Sequence, residues 1–130
     1  MCLFCKIINN ELPCHKIYED DYTLAFLDIN PATFGHTLVV TKEHIARLED
    51  ASEDSLNHLT NTMLLVAKKI KNTCNPKGFN YLSNSDEISG QQIDHLHFHI
   101  IPRYDKNDGF EVKHTPQEID LKEVLEKIKI

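Results

Sequence analysis

Three histidines alternate with apolar residues in the run His95-Leu96-His97-Phe98-His99. Successive side chains of a strand project to opposite faces. An extended run therefore puts His95, His97 and His99 on one face and Leu96, Phe98 and Ile100 on the other. At about 3.3 Å per residue the imidazoles stand roughly 6–7 Å apart. That spacing suits an anion lying along the strand, each ring reaching a different phosphorus or oxygen atom. It equally suits a metal ion on which alternate histidines converge. A merely polar strand face is a poor explanation, because three imidazoles offer no packing or propensity advantage over Thr or Val. A second chemically capable group is Cys2-Leu3-Phe4-Cys5, which has the ligand spacing of half a zinc site. A thioredoxin-like redox pair shares that spacing but expects a βαβ context, which the N-terminal position does not offer. Cys14 and Cys74 fit neither pattern.

Several elements must position these residues. Tyr22–Ile29 is rich in aromatic and apolar residues and reads as a strand, stopped by Asn30-Pro31. His36–Thr41 is a second strand, reached through a turn at Gly35. Over Ala51–Lys71 the apolar residues Leu56, Leu59, Met63, Val66 and Ile70 recur three or four apart, the period of a helix. Asp50 or Ser52 can cap it, and Glu53 and Asp54 favour its positive end. Asn75-Pro76-Lys77-Gly78 ends it by turn chemistry. Phe79–Ser83 and Ile93–Pro102 read as the third and fourth strands. Thr115-Pro116-Gln117-Glu118 resembles a capping box that opens a terminal helix with the apolar stripe Leu121, Val124, Leu125 and Ile128. Strands with one long intervening helix and few βαβ alternations predict an α+β fold with a mainly antiparallel sheet and a C-terminal helix.

The chain of 130 residues reads as one domain, without repeats or low-complexity tracts. A net charge of −6 argues against nucleic acid as partner, because affinity there begins with Lys and Arg on phosphates. A pocket for a small phosphate ligand needs only a few local donors. Neither a secretory leader nor a run of roughly 20 apolar residues is visible, so a cytoplasmic protein without a membrane partner is expected. No GxxxxGK[ST] phosphate loop is present among the four glycines, which counts against a P-loop nucleotidase.

His95-Leu96-His97-Phe98-His99-Ile100-Ile101 resembles the signature of the histidine triad (HIT) family of nucleotide hydrolases and transferases. Asp28-Ile29-Asn30-Pro31, then Gly35-His36-Thr37-Leu38-Val39-Val40 and Lys42-Glu43-His44, is similar to that family's upstream block, and Gly90-Gln91 to a third. The similarity spans about residues 2–110, with a helical extension over about 115–130 outside it. The resemblance implies that His97 attacks the α-phosphate of a purine nucleoside phosphoramidate or related AMP- or GMP-type nucleotide. A neutral imidazole has a reference pKa near ~6.5 and needs no separate base. A covalent nucleotidyl-His97 intermediate would split one displacement into two. The same resemblance implies that His99 and His36 donate to phosphate oxygens. It implies further that Asp28 accepts from the ribose hydroxyls, that Phe4, Ile7, Phe26 and Ile29 form a slot for the base, and that Asn84, Gln91 and Gln92 lie on the phosphate side. The backbone carbonyl of His95 is the expected partner of the second His97 nitrogen. Many family hydrolases carry Ser or Thr where this chain has Gln92, whose amide donates a hydrogen bond but is not a practical proton donor.

Some members hold a structural zinc with such a cysteine pair and two histidines. The resemblance maps these onto Cys2, Cys5, His44 and His95, and it implies a homodimer and no organic cofactor. Two other readings fit the residues: a zinc hydrolase in which the three histidines bind a catalytic metal, and a nucleotide-binding protein without catalysis.

Overall fold

The structure is a computed structural model, and it describes residues 2–130. Five strands form one antiparallel sheet in the order β1-β2-β3-β5-β4. They are β1 (Lys16–Glu19), β2 (Thr23–Leu27), β3 (Thr37–Thr41), β4 (Gly78–Leu82) and β5 (His97–Arg103). Three helices accompany them: α1 (Leu3–Ile8), α2 (Glu53–Cys74) and α3 (Leu121–Ile128). The α+β class and the antiparallel sheet agree with the pattern of the sequence. Among the described residues no helix is long and apolar enough to cross a membrane.

Both faces of the sheet are covered, which explains why β3 reads Thr-Leu-Val-Val-Thr without polar alternation. On one face α2 packs Leu59, Val66 and Ile70 against Ala25, Val39, Leu96 and Ile100. The helical stripe is thus core of a single chain, with Leu56 and Met63 packed against it. On the other face α1 brings Phe4 against Leu24, Phe26, Leu38 and Val40. Cross-strand register settles where the histidines go: Val40 pairs with His97 and Leu38 with His99, while Val39 pairs with Phe98. His97 and His99 therefore share the face of Leu38 and Val40, under α1.

Several boundaries differ from the sequence pattern. The fourth strand begins at His97 rather than Ile93, because the His95 amide turns back onto the Ile93 carbonyl at 2.8 Å and Leu96 bonds to Ile45. His95 thus precedes the strand that carries its two companions. The capping box at Thr115 is not used: residues 115–120 are non-helical, and Asp120 caps α3 by accepting from the Lys122 and Glu123 amides. For α2 the cap is Ser52, which accepts from the Ser55 amide at 3.2 Å. Asn75 ends that helix in the left-handed region at φ 53°. The sequence pattern assigned nothing to α1 and β1.

Candidate active site

A cavity of roughly 560 Å³ opens over the α1-facing side of β5, within the size range of small-molecule sites. His97 and His99 lie at its floor, and His36, Asp28, Phe4, Ile7, Phe26, Ile29, Asn84 and Gln92 line it. The nucleotide-site residues predicted from the sequence thus meet around one space, with one departure. Gln91 is elsewhere: buried, it accepts from the Asp86 amide at 2.8 Å and donates to the Ala46 carbonyl at 2.7 Å, bracing two loops. His95 faces the cysteines. Leu12, Pro13, Cys14 and Phe110 also line the wall and were not foreseen. They come from loops with no motif to mark them.

Each imidazole has a defined role in hydrogen bonding. His97 Nδ1 lies 2.6 Å from the His95 carbonyl. A carbonyl only accepts, so Nδ1 holds the proton and Nε2 keeps the lone pair. Ser83 donates to the carbonyl of His97 itself at 2.8 Å, holding this stretch of strand in place. His36 Nδ1 accepts from the Ala32 amide at 3.0 Å. The neutral ring must then carry its proton on Nε2, which lies 2.9 Å from His99 Nδ1. His99 Nδ1 is consequently the acceptor, and its own proton sits on Nε2. The two floor histidines are complementary, one with a bare Nε2 and one with an Nε2–H. Both nitrogens of His36 are engaged within the protein, one with Ala32 and one with His99, so in this structure it stands behind His99.

Burial keeps these rings neutral. It pushes His99 down to about 4, helped by the nearby His97 and His36 and opposed by Asp28. Burial also lowers His97, against the pull of the His95 carbonyl and Asp28, and lowers His36 against Asp28. Asp28 Oδ2 is 3.5 Å from His36 Nε2, while its Oδ1 accepts from the Asn30 amide at 2.8 Å in the turn that ends β2. No Lys or Arg lines the cavity among the described residues.

Beside the floor lies a separate cluster. Cys2, Cys5, His44 and His95 bring their ligand atoms within 4.8 Å of one another. The four sulfur-to-Nδ1 distances run 3.4 and 3.6 Å from Cys2 and Cys5 to His95, and 3.6 and 3.3 Å to His44. A tetrahedral ion with metal–sulfur bonds near ~2.3 Å and metal–nitrogen bonds near ~2.1 Å sets sulfur and nitrogen about 3.6 Å apart. The donor set fits. His95 Nε2 donates to the Thr41 carbonyl at 2.6 Å, which leaves Nδ1 bare toward the cluster, the usual backing of a ligating histidine. The three strand histidines do not converge on one ion, so the catalytic-metal reading of the triad has no support in this geometry.

A HIT domain matches residues 9–106. The chain belongs to the HIT family. The HIT protein is 38% identical over 135 aligned residues, 98% of each chain, to the adenosine 5'-monophosphoramidase of Schizosaccharomyces pombe. The crystal structure of a HIT family protein from Bacillus anthracis superposes with a TM-score of 0.91 at 40% identity, covering 97% of this chain and 91% of that one. A zinc-bound histidine triad family protein from Mycobacterium smegmatis gives 0.78 at 30% identity, with 89% and 84% covered.

A depressed histidine pKa has a definite sign in stability. The unfolded chain takes up the His99 proton near ~6.5, whereas the folded protein resists it until about 4. Stability contributed by this group is therefore full above pH 6.5 and is lost as pH falls from there toward 4. Nitrogen-15 NMR of the His99 ring should show it neutral at pH 5.5. A midpoint at or above 6.5 would contradict the burial argument.

Proposed function

We propose that the protein hydrolyses purine nucleoside 5'-phosphoramidates of the AMP or GMP type at the α-phosphorus, through a covalent nucleotidyl-His97 intermediate. The observation that carries this reading is the His97–His95 carbonyl bond, which leaves the His97 lone pair beside the His99 Nε2–H in a largely apolar cavity. A relative named for adenosine 5'-monophosphoramidase activity supports the same substrate class.

In this reading His97 Nε2 attacks phosphorus and a nitrogen–phosphorus bond forms to the ring, while the bond to the leaving amine breaks. His99 donates to a phosphate oxygen as negative charge grows there, with His36 holding it from behind. The departing amine needs a proton. Neither Gln92 nor Asn84 can supply one, so it is carried by the substrate nitrogen or drawn from solvent. Water then attacks phosphorus, the bond to His97 breaks, and the nucleoside monophosphate leaves with the water's proton released. Phe4, Ile7, Phe26 and Ile29 hold the base, and Asp28 accepts from the ribose hydroxyls. Among the described residues Asn84 and Gln92 are not hydrogen-bonded to other protein groups and serve the phosphate side. The lack of a cationic wall favours a phosphoramidate over a polyphosphate, whose extra charges would go uncompensated in a site of neutral rings.

The reading includes a structural zinc on Cys2, Cys5, His44 and His95, supported by the donor geometry and the zinc-bound neighbour. When bound, such an ion supplies no chemistry to substrate. It ties α1 to the segment preceding β5 and so fixes the Phe4 wall. A homodimer also belongs to this reading, although the buried α2 stripe does not form its interface.

Two tests follow. His97→Ala should lower turnover of an adenosine phosphoramidate by roughly four orders of magnitude while AMP still binds. Hydrolysis near the wild-type rate excludes the nucleophile, and no AMP release by the wild type favours a binding protein. Elemental analysis should find one zinc per chain in the wild type and none in Cys5→Ser. Zinc removal should lower Tm, and an unchanged Tm would rule out a structural ion.

A further inference from the structure

β5 runs out of the histidine floor into a tight loop that turns back on the site. Asp108 closes this loop by accepting from Arg103 Nε at 2.9 Å, Arg103 Nη2 at 3.0 Å and the Tyr104 amide at 2.9 Å. Arg103 in turn donates to the Phe110 carbonyl and to Asn80, both at 2.7 Å, which ties the loop to β4. The Asp108 side chain is 4% exposed, so its carboxylate closes the loop from inside while residues 105–107 stay at the surface.

The closed loop bears on the turn that precedes β3 at two points. Tyr104 Oη donates to the Phe34 carbonyl at 2.6 Å. Gly109 lies against the Ala32 carbonyl so closely that a Cβ there would stand 2.2 Å from its oxygen. Gly109 also has φ +106°, a conformation that side-chain-bearing residues rarely adopt. The Ala32 amide that reaches His36 Nδ1 lies in the same turn, one peptide unit before the Ala32 carbonyl. Among the described residues that amide is the one donor at this nitrogen, and with the Asp28 carboxylate 3.5 Å from Nε2 it places the His36 proton on Nε2. His36 then decides the same for His99.

We propose that the 103–110 loop is a positioning clasp: through Gly109 and Tyr104 it holds the Ala32 amide on His36 and so keeps His99 in its Nε2–H tautomer. The inference rests on reading His99 as the donor to phosphate, but the tautomer itself is observable without any reaction. Tyr104, Asp108 and Gly109 are positioning residues, since none of them faces the reacting atoms. The clasp also explains a feature of the tautomer chain that the histidines alone leave open. Two imidazoles in contact can run the proton chain either way, and the direction is chosen by what stands outside the pair: the Ala32 donor at His36 Nδ1, seconded by the more distant Asp28 carboxylate at Nε2. Here the donor is backbone, so its position depends on the shape of the turn.

The test uses the full-length protein labelled with nitrogen-15 in histidine, read by long-range proton–nitrogen spectra at pH 7.5. In the wild type, His36 and His99 should each show a single neutral tautomer protonated at Nε2. Gly109→Ala, which forces the Ala32 carbonyl away, should give mixed tautomers at both rings. It should lower kcat by about tenfold, the worth of one lost hydrogen bond, with KM changed less. Tyr104→Phe removes only a hydroxyl and keeps the fold within reach if Gly109→Ala does not fold; it should move the same two signals in the same direction. His97 is the internal control, because its proton is fixed by the His95 carbonyl. Unchanged His36 and His99 tautomers in a folded variant overturn the clasp, as does equal disturbance of His97, which would mark general loosening. Altered tautomers with no activity in any form would leave the clasp standing and remove the proposed reaction instead.

Discussion

The hydrogen bond from His97 Nδ1 to the His95 carbonyl, 2.6 Å long, joins the two halves of the site. Through its main chain His95 fixes the tautomer of the floor histidine. Through its side chain it reaches Cys2 and Cys5, with the Thr41 carbonyl taking its other nitrogen. One residue therefore links the N-terminal segment, β3 and the start of β5. Phe4, carried on α1, stands edge-on to both rings, with centroids 5.0 Å from His97 and 5.9 Å from His95. If the His95 backbone shifted, the cavity wall and the lone pair of His97 would move together.

The second organising constraint is desolvation. Four imidazoles on or beside the cavity floor are all held below their ordinary pKa by burial. Several protonated rings so close together would repel one another in a poorly solvated space, so the fold keeps them neutral and arranges their protons by hydrogen bonding. The Ala32 amide begins one chain of donors and the His95 carbonyl ends another. Charge stabilisation in the proposed reaction thus comes from oriented N–H groups rather than from fixed cations, a form of preorganisation that needs no rearrangement during the step. Among the described residues Asp28 is the one carboxylate lining the cavity; it lies at the His36 side and is partly committed to the turn after β2.

Much of this arrangement is legible in the residues because the deciding signals are local. The period of Leu56, Leu59, Val66 and Ile70 marks α2, and the β-branched run at Thr37–Thr41 marks β3, since each pattern matches the burial it produces. The alternation of His97 and His99 with Phe98 gives the correct face. His95 breaks that alternation through a turn onto Ile93 that no propensity announces. Gln91 sits next to the signature, yet its amide is spent on Asp86 and Ala46, a fate decided by two loops distant in sequence. The six-residue α1 is too short to show a period, and β1 is an edge strand with one half-buried residue, so neither had a pattern to read. Thr115–Glu118 matches a capping box, but the helix waits for Asp120, whose carboxylate accepts from two amides. The loop from Arg103 to Phe110 was silent for another reason: its meaning lies in what Gly109 touches, which only the fold brings near.

In the proposed reaction a ring nitrogen of the protein, rather than water, first displaces the leaving group at phosphorus. The stereochemical course of hydrolysis tests this most directly, using an adenosine phosphoramidate made chiral at phosphorus with sulfur and isotopic oxygen. Two in-line displacements, the first by His97 and the second by water, predict retention of configuration. Inversion would mean a single displacement by water, with no nucleotidyl-His97 intermediate.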